Sequence, residues 1–516
     1  MEQKNFSFLN LVERLGNALP HPAMIFVYLT LILMISSALA SYFGLSVSFG
    51  DKNIQIVNLL SMESFVKFTN SFVENYAKFP PLGVVLVAMI GISIAEHSGY
   101  LKSILRALVL SAPKALVSFF VVLAGVLSNL ASDIGYVVLT PLAAMLFYSI
   151  GRHPLAGLAA AFAGVSGGYS ANLLISTTDP LLAGITQSAA QIIDPNYTVG
   201  PEVNYYFMVA STFLIAIVGA LITDKIIEPR LGAYQTQDSQ VEAVENMNSK
   251  EKRAMILASL GALLYVVVVL VMILPQDSLF RNAETGSFIK SPFIVGIIFF
   301  VFFLLAIPGV IYGFMSGSFK SSTDIVNAMS EGMKTMAMYL VIIFFAAQFI
   351  SLFAQSNIGQ YTAIKGAIFL KSLDINSGLL ILLFIAICAF VNLFVASASA
   401  QWALISPVFV PMFMLLGYAP ELVQAAYRIG DSTTNIITPL LSYMPIILSF
   451  AMKYQKNVGM GTMISLMLPY SMAFFVSWSA LLYSMAFFVS WSALLYAWVF
   501  IFDLPLGPGV ESFIAS

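Results

Sequence analysis

The sequence predicts an all-α polytopic membrane protein, with nine transmembrane helices and two re-entrant helical hairpins arranged as an inverted repeat. Its composition, the lengths of its apolar runs and a match between its two halves carry this prediction. Of the 516 residues, 59% are hydrophobic and 9% are charged, and the mean hydropathy is +0.91. Soluble domains carry about 25% charged residues. The net charge of -2 argues against a nucleic-acid partner, and a single cysteine excludes a disulfide scaffold.

Nine apolar runs reach about 20 residues, the length that a helix needs to cross a bilayer. We expect the first run to remain in the mature chain, because no secretory leader pattern precedes it. The runs lie at 21–45, 82–98, 154–175, 204–224, 254–274, 292–313, 336–355, 421–450 and 458–500.

Two further apolar segments, 114–150 and 375–417, are interrupted by SNLASD (128–133) and ASASAQW (396–402). Backbone without helical hydrogen bonds is tolerated inside a membrane only where it lines a protein cavity. We therefore interpret both segments as re-entrant hairpins with polar tips. The alternative is that each pair of arms forms two full spans, for which the arms of the first segment are short.

The positions of Lys and Arg predict the orientation of the chain. With the N-terminus in the cytoplasm, most of the 23 Lys and Arg residues fall in cytoplasmic segments. The external loop 176–203 contains none of them. Because cytoplasmic loops are enriched in positive charge, this bias supports a cytoplasmic N-terminus.

The two halves share prolines, glycines and a serine at a fixed offset of 266 residues. The matched pairs are Pro141 and Pro407, Gly164 and Gly430, Ser166 and Ser432, and the segments GRHP (151–154) and GYAP (417–420). Chance spacing is the alternative, but the order of the spans agrees with a repeat. The predicted units are a first repeat at 1–224, a cytoplasmic linker with connector helix 254–274 at 225–291, and a second repeat at 292–516.

The single connector helix makes the second copy enter the membrane from the opposite side, so the repeat is inverted. Inverted repeats whose broken helices meet near the membrane midplane are typical of secondary transporters. A channel with the same repeat is the alternative, although buried charges favour stepwise transport.

The segment SMAFFVSWSALLY occurs at 471–483 and again, unchanged, at 484–496. The duplication makes the run 458–500 too long for one ordinary span, yet no polar turn separates the copies. The run forms either one long helix or two spans, and two spans would move the C-terminus from the outside to the inside.

Two ionisable residues lie inside a predicted span, where such groups are rare and usually functional. Arg428 and Asp431 share one helix face, and Asn435 follows one turn later. We predict that Arg428 and Asp431 form a buried pair used in transport. A purely structural pair is the alternative, although a buried pair is costly compared with apolar packing.

The equivalent stretch of the first half is GVSGGYSANLLISTTDP (164–180), and its glycines and serines should break the helix. Asn172 is a rough counterpart of Asn435. Asp179 lies at the end of the stretch, either at the rim of the site or in an ordinary Asp-Pro turn that ends a helix.

The hairpin tips add polar side chains that could line the same site. They are Asn129, Ser132, Asp133, Ser397, Ser399, Gln401 and Trp402. Neutral oxygens suit Na⁺, whereas a lone carboxylate suits H⁺. Tyr136 and Trp402 are equivalent at the 266 offset and could stack on an aromatic solute.

Six segments spread over almost the whole chain carry a family resemblance. They are GNALPHPAMIFVY (16–28), GRHPLAGLAAAFAGVSGGYSANLL (151–174), TDPLLAGIT (178–186), ITDKIIEPRLG (222–232), SASAQWALISPVFVPMFMLLGYAPE (397–421) and AAYRIGDSTTNIITP (425–439). They resemble the aminobenzoyl-glutamate transporter (AbgT) family, and most closely its MtrF-like sulfonamide and drug efflux branch.

The resemblance implies a homodimer in the bacterial inner membrane, with nine spans and two hairpins per subunit and no cofactor. It also implies export of p-aminobenzoate-like compounds, including sulfonamides, or import of p-aminobenzoyl-glutamate. The functional positions that it implies are Asp179, Ser399, Trp402, Pro420, Arg428, Asp431 and Pro439.

The first hypothesis is a secondary transporter that exports small aromatic anions in exchange for protons. Arg428 would hold the anionic group, Trp402 would stack on the ring and Ser399 would donate a hydrogen bond. Asp431 would carry the proton, with Asp179 as a second candidate. Ionised Asp431 would occupy Arg428, and protonation of Asp431 would release it.

Two other functions are alternatives to export. Sodium-driven import of p-aminobenzoyl-glutamate would place neutral oxygens around the cation, from Asn129, Ser132, Asn172 and Asn435. An intramembrane protease is suggested by GVSG (164–167) or by the two aspartates, but a serine enzyme needs a nearby base. The three histidines of the chain fall at predicted membrane edges.

Overall fold

The computed structural model describes residues 22–49, 52–131, 135–234, 247–283, 286, 291–395 and 397–487. Within these ranges the chain is helical, apart from one antiparallel hairpin of strands β1 (Ser46–Phe49) and β2 (Lys52–Gln55). The helices of the first half are α1 (Pro22–Tyr42), α2 (Met62–Ala77), α3 (Pro80–His97), α4 (Tyr100–Leu110), α5 (Val117–Ser128), α6 (Thr140–Ser149), α7 (Pro154–Phe162), α8 (Thr178–Ala190), α9 (Tyr205–Ile222) and α10 (Glu228–Leu231).

The connector helix α11 (Ser249–Ile273) leads into the second half. The helices that follow are α12 (Pro292–Val295), α13 (Ile297–Ser316), α14 (Ser322–Thr335), α15 (Ala337–Gln355), α16 (Ile358–Ser372), α17 (Ser377–Asn392), α18 (Ala398–Leu415), α19 (Pro420–Asn435), α20 (Met444–Tyr454) and α21 (Met460–Phe487).

Helix starts follow local chemistry. Pro80, Pro154 and Pro420 open α3, α7 and α19, where the missing N–H has no partner inside the helix in any case. The connector α11 begins with a capping box, in which Asn248 and Glu251 each accept a hydrogen bond from the other's backbone N–H. These residues therefore determine where the four helices begin.

The described helices confirm a multi-span membrane protein. Eight of them are long and apolar enough to cross a membrane, or nine if Tyr100–Leu110 and Lys114–Ser128, bent by 111°, form one span. Most predicted runs contain one continuous helix, but 154–175 and 421–450 do not. No helix covers 168–177, and α19 is separated from α20 by a turn. Glycines at 164, 167 and 168, and Pro439, account for these two breaks.

Both predicted hairpins consist of two helices that are interrupted at the polar tips. Helices α5 and α6 flank the first tip, and α17 and α18 flank the second. Ser132, Asp133 and Ala396 at these tips lie outside the described residues. Of these four hairpin helices, only α18 is by itself long enough to cross a membrane.

Equivalent helices of the two halves cross each other in opposite directions. Thr223 follows α9 and its hydroxyl lies 2.7 Å from that of Tyr470, near the start of α21. Further along α21, but nearer the start of α9, the indole nitrogen of Trp478 donates to Ser211 at 2.6 Å. At the 266 offset Ser211 corresponds to Ser477, the neighbour of Trp478, so the two helices cross near equivalent positions. An antiparallel crossing of equivalent helices is what an inverted repeat requires.

An outer helix of each half packs against a helix of the other half. Helix α1 packs on α15, and its equivalent α13 packs on α3, the equivalent of α15. The boundaries of the two repeats at 224 and 292 stay predictions.

Each hairpin presses its first arm against the broken helix of its own half. A Cβ built on Gly164 would lie 2.3 Å from the carbonyl oxygen of Val122, and one on Gly430 would lie 2.6 Å from Cβ of Cys388. The two contacts occupy equivalent places in the repeat. Only glycine permits this close approach, which brings the hairpin tips to the breaks.

The duplicated segment continues one helix across the boundary between its copies. Helix α21 contains all of 471–483 and extends to Phe487 within the second copy. In the first copy Phe474 and Trp478 are fully buried. The remainder of the second copy lies outside the described residues, so the side of the C-terminus stays a prediction.

Candidate functional site

The two broken stretches meet inside the protein, as the sequence predicts. The backbone N–H of Ser170 donates to the hydroxyl of Ser432 at 3.1 Å. Nearby, Asp179 at the start of α8 faces Arg428 of α19. Residue numbers rise along one stretch as they fall along the other, so the stretches cross antiparallel like the repeats that contain them.

Arg428 pairs with Asp179, and the predicted pairing with Asp431 is wrong. Nη2 of Arg428 lies 2.8 Å from Oδ1 of Asp179, and each side chain is only 1% exposed. Among the described residues no carboxylate oxygen of Asp431 lies within 4.0 Å of a cationic nitrogen. The spacing along α19 correctly places Arg428 and Asp431 on one face. The Arg428 side chain is long, however, and extends to Asp179 at the start of α8. Helix α8 lies near α19 because the two repeats cross there.

Asp179 is central, so the alternative that places it at the rim is wrong. The residue lies in the first turn of α8 and therefore begins a helix instead of ending one. Its Oδ2 accepts hydrogen bonds from the backbone N–H of Ser176 at 2.6 Å and from its hydroxyl at 3.0 Å. A carboxylate at a helix N-terminus is also favoured by the helix dipole.

Arg428 keeps donors that the described residues do not use. Nη1 contacts the sulfur of Met208 at 3.5 Å. Neither Nε nor Nη2 makes a well-aligned hydrogen bond, although Nη2 lies at ion-pairing distance from Asp179. A guanidinium offers five donors, so this one can accommodate a second anionic partner.

Asp431 is completely buried, and no described donor points at either carboxylate oxygen with hydrogen-bond geometry. Tyr427, Arg428 and Asn435 are its polar neighbours. Its backbone carbonyl accepts a hydrogen bond from Asn392 at 2.7 Å. An isolated carboxylate in such a place is costly to keep charged, so Asp431 is suited to binding and releasing a proton.

Two asparagines join the hairpin ends to the broken helices. Nδ2 of Asn129, after α5, donates to the carbonyl of Gly168 at 3.4 Å. Nδ2 of Asn392, at the end of α17, contacts Thr434 at 3.0 Å and Asn435 at 2.9 Å. Oδ1 of both Asn129 and Asn392 has no partner among the described residues.

Trp402 lies fully buried between α8 and α19. Its ring stacks on Tyr427 with centroids 4.5 Å apart, and its indole N–H donates to the hydroxyl of Thr186 at 2.9 Å. The Thr186 hydroxyl also contacts Oε1 of Gln424 at 2.7 Å. The hydroxyl of Tyr427 donates to the carbonyl of Ala398 at the second hairpin tip. Of the two predicted aromatic residues, Trp402 therefore lies beside α19 and Arg428.

The other predicted residues lie around this centre at varying depth. Ser399 is half-buried, 3.5 Å from the hydroxyl of Ser397. Pro420 is buried at the start of α19, and Pro439 is half-buried in the turn after it. Asn172 is buried with Nδ2 unpaired among the described residues.

Tyr136 does not join the aromatic group at Trp402. It stacks on Tyr443, with centroids 4.3 Å apart and planes at 8°. The described residues hold no group of three or more His, Cys, Asp or Glu placed to bind a metal ion.

Sequence reasoning missed three residues of the site. Asn392 was signalled by the dipeptide Asn-Leu, which occurs at 129–130 and again at 392–393. Gln424 lies one turn before Arg428 on the same helix face, a spacing visible in the sequence. Thr186 carries no such signal, because its role depends on contacts with two other helices.

Three comparisons with known proteins identify the family of this chain. The sequence profile of the AbgT putative transporter family matches residues 7–483. The p-aminobenzoyl-glutamate transport protein of Escherichia coli (strain K12) is 36% identical over 501 residues, which are 97% of this chain and 96% of that protein.

Two solved structures share the fold. MtrF of Neisseria gonorrhoeae, described as illuminating a class of antimetabolite efflux pumps, is 50% identical with a TM-score of 0.88, over 98% of this chain and 100% of its own. The YdaH transporter of Alcanivorax borkumensis, described as having an unusual topology, is 42% identical with a TM-score of 0.86, over 95% of this chain and 100% of its own. The inverted repeat, the buried site and these matches over nearly the full length together show that the chain is a member of the AbgT transporter family.

Proposed function

We propose that this protein exports p-aminobenzoate-like aromatic anions and sulfonamide antimetabolites across the bacterial inner membrane, driven by the proton gradient. The observation that carries the proposal is Arg428, a fully buried cation at the crossing of the two repeats with donors left unused. The likeness to MtrF, from a class of antimetabolite efflux pumps, supports the direction.

The substrate contacts follow from the chemistry of the centre. A carboxylate or ionised sulfonamide binds Arg428, whose planar fork matches a two-oxygen anion. The aromatic ring lies against the Trp402–Tyr427 stack, where offset aromatic pairs are favourable. Ser399 at the second hairpin tip contributes a hydroxyl. Because Asp179 contacts Arg428 through Nη2, the arriving anion binds beside that carboxylate at the donors that the pair leaves unused.

Asp431 is the proposed proton carrier. It is buried within one turn of Arg428 and its oxygens are unpaired among the described residues. Protonation removes a buried charge that has no ion-pair partner among the described residues. The proton gradient can then drive the change of the centre from access on one side of the membrane to access on the other. Asp179 is a second candidate, but it is already held by Ser176 and Arg428.

Asp431→Asn tests this role in proteoliposomes. We expect the variant to fold and to exchange labelled p-aminobenzoate across the membrane, but to lose accumulation driven by a pH gradient. Asp277→Asn, at an exposed carboxylate in the loop after α11, is the matched control and should keep full accumulation. Accumulation at the wild-type level in the Asp431 variant would overturn the proton role.

A proton- or sodium-coupled importer of p-aminobenzoyl-glutamate is the second candidate. The E. coli relative supports it, and so does the charge balance, because the centre holds two buried carboxylates, Asp179 and Asp431, and one buried guanidinium. An anion that binds beside ionised Asp431 is repelled, so anion and proton favour each other, as co-transport requires. Neutral oxygens of Asn129 and Asn435 leave sodium coupling open to test.

Reconstitution with separately imposed gradients distinguishes these functions. p-Aminobenzoate, a sulfonamide and p-aminobenzoyl-glutamate are each loaded on one side, with Na⁺ or choline as the cation. If the protein is a proton-driven exporter, the substrate should move in the direction opposite to the protons. This transport should be unchanged when choline replaces Na⁺, and an uncoupler should abolish it. Movement of p-aminobenzoyl-glutamate along the proton or sodium gradient would support import instead.

The proposal includes a homodimer whose N-termini lie in the cytoplasm. The connector α11 exposes a large apolar surface, including Leu263, Leu264 and Val271, which lipid or a second subunit would cover. Native mass measurement in lipid nanodiscs tests the dimer. Labelling of single cysteines by a membrane-impermeant reagent tests the orientation.

A further inference from the structure

Helices α8 and α19 touch at two polar contacts. One is the ion pair of Asp179 with Arg428, and the other is the contact of Thr186 with Gln424 at 2.7 Å. The second contact lies about 10 Å along α8 and about 6 Å along α19 from the first, by the helical rise of 1.5 Å per residue. All four side chains are at least nine-tenths buried.

Gln424 has no complete set of partners. It is 0% exposed, and only one end of its amide is used, in the contact with Thr186. Nε2 has no partner among the described residues. A buried amide normally has hydrogen bonds at both ends, so this one is suited to a ligand atom. An amide can present either its N–H or its carbonyl, depending on which end Thr186 holds.

Thr186 connects this amide to the aromatic part of the site. Its hydroxyl contacts the Leu182 carbonyl at 2.8 Å, receives the indole N–H of Trp402 at 2.9 Å and touches Gln424. Thr186 therefore fixes the Trp402 ring and the Gln424 amide relative to each other. The ring reaches both polar contacts, since it stacks on Tyr427, the residue before Arg428, and its indole N–H bonds to Thr186 beside Gln424.

We propose that Gln424, positioned by Thr186, is a subsite for a hydrogen-bonding group on the substrate ring opposite its carboxylate. The inference rests on the proposed binding of that carboxylate at Arg428. With the anion at Arg428 and the ring along Trp402, the far end of the ring points towards Gln424. The substrate class is thus benzoates with an amino, hydroxyl or amide group in the para position, and benzoate itself is a poor ligand.

The test compares binding of p-aminobenzoate and benzoate to purified protein by calorimetry. We expect wild type to prefer p-aminobenzoate, and Gln424→Leu to reduce the ratio of the two affinities about tenfold, the equivalent of one lost hydrogen bond. Thr186→Val should lower the ratio in the same direction, and Thr186→Ser should restore it. Ser188→Ala is the matched control, since among the described residues that hydroxyl donates only to the carbonyl of Gly184 in its own helix.

The outcomes separate the subsite from the proposed function. An equal loss of affinity for both ligands in Gln424→Leu would show a structural role and overturn the subsite, as would an unchanged ratio. A wild type that binds both ligands equally would overturn it too. If wild type prefers p-aminobenzoate but gradients move no substrate, the subsite stands and the proposed transport fails. If wild type binds neither ligand, both are overturned.

Discussion

The charge of Arg428 is compensated by a residue 249 positions away in sequence, and this pairing decides how the centre tolerates substitution. Removing one partner of a buried pair leaves the other charge unpaired, at a cost of about 3–5 kcal/mol. Removing both partners removes the unpaired charge. We therefore expect the pair to matter more for substrate binding than for folding.

We predict that Asp179→Asn or Arg428→Gln alone lowers the unfolding free energy by about 3–5 kcal/mol, and that the double variant regains most of it. Neither single nor double variant should transport. Thermal unfolding in detergent and substrate counterflow measure the two quantities. Lys67→Ala, which breaks an exposed pair with Glu63, is the control and should leave the melting temperature nearly unchanged. A double variant no more stable than the singles would contradict the argument.

At the scale of elements, the hairpins are held against the broken helices by glycine contacts. A methyl group on Gly430 would lie 2.6 Å from both Cβ of Cys388 and the carbonyl oxygen of Ile385. The α17 backbone must then move away from α19. The contacts that Asn392 makes to α19 depend on the same approach.

Gly430→Ala is therefore predicted to destabilise the protein by about 1–3 kcal/mol, the usual cost of overpacking. It should also lower transport, because α17 shifts relative to Asp431. Gly461→Ala is the control, since it lies in α21 with nothing within 4 Å of the added Cβ. Thermal unfolding of both variants checks the prediction, which fails if the two melt alike.

The duplicated segment gives a second prediction about an element. Two residues that precede the first copy hold it in place. The hydroxyl of Tyr470 bonds to that of Thr223, and the hydroxyl of Ser465 accepts a hydrogen bond from Arg230. Its Trp478 then reaches Ser211. Tyr483 precedes the second copy as Tyr470 precedes the first, but Trp478 stands where the first copy has Ser465, so the second copy cannot take the same place and keep the contact with Arg230.

We expect Trp478→Ala to lower stability by about 3–5 kcal/mol, as for other buried aromatic residues, and to reduce transport. Trp491→Ala makes the same chemical change in the second copy and should have a smaller effect. Unfolding and counterflow measurements on the two variants compare the copies directly. A larger loss of stability and transport from Trp491→Ala would mean that the second copy, and not the first, packs against α9.

At the scale of the whole molecule, transport requires that the two repeats move at their crossing. In inverted-repeat transporters one unit rocks against the other around the central site. The contact of Ser170 with Ser432 joins the units at that place, 3.1 Å apart. Cys388 is the only cysteine of the chain, so a background without cysteine needs a single change.

In a Cys388→Ala background, the pair Ser170→Cys and Ser432→Cys should form a disulfide on oxidation and stop counterflow. Reduction should restore it, and each single cysteine variant should not respond to the oxidant. Mobility on a gel after proteolysis of the linker 233–252 reports the cross-link. Equal counterflow in the oxidised and reduced forms would show that the crossing does not open during transport.

Local patterns were sufficient for a large part of this protein. Apolar length placed the spans, the tips SNLASD and ASASAQW placed the breaks, and Arg428 and Asp431 stood out as charges in an apolar run. These properties depend on residues adjacent in sequence, and the bilayer acts on each of them separately. The 266-residue offset likewise predicted that equivalent helices run in opposite directions.

The tertiary structure alone decided which residues meet. The pairing of Arg428 with Asp179 and the contacts of Trp402 with Thr186 and Tyr427 join helices that are far apart along the chain. A spacing along one helix shows which face a side chain occupies, but not which helix lies opposite. That depends on how the repeats cross, and the crossing is set by glycine contacts and packing distributed over both halves.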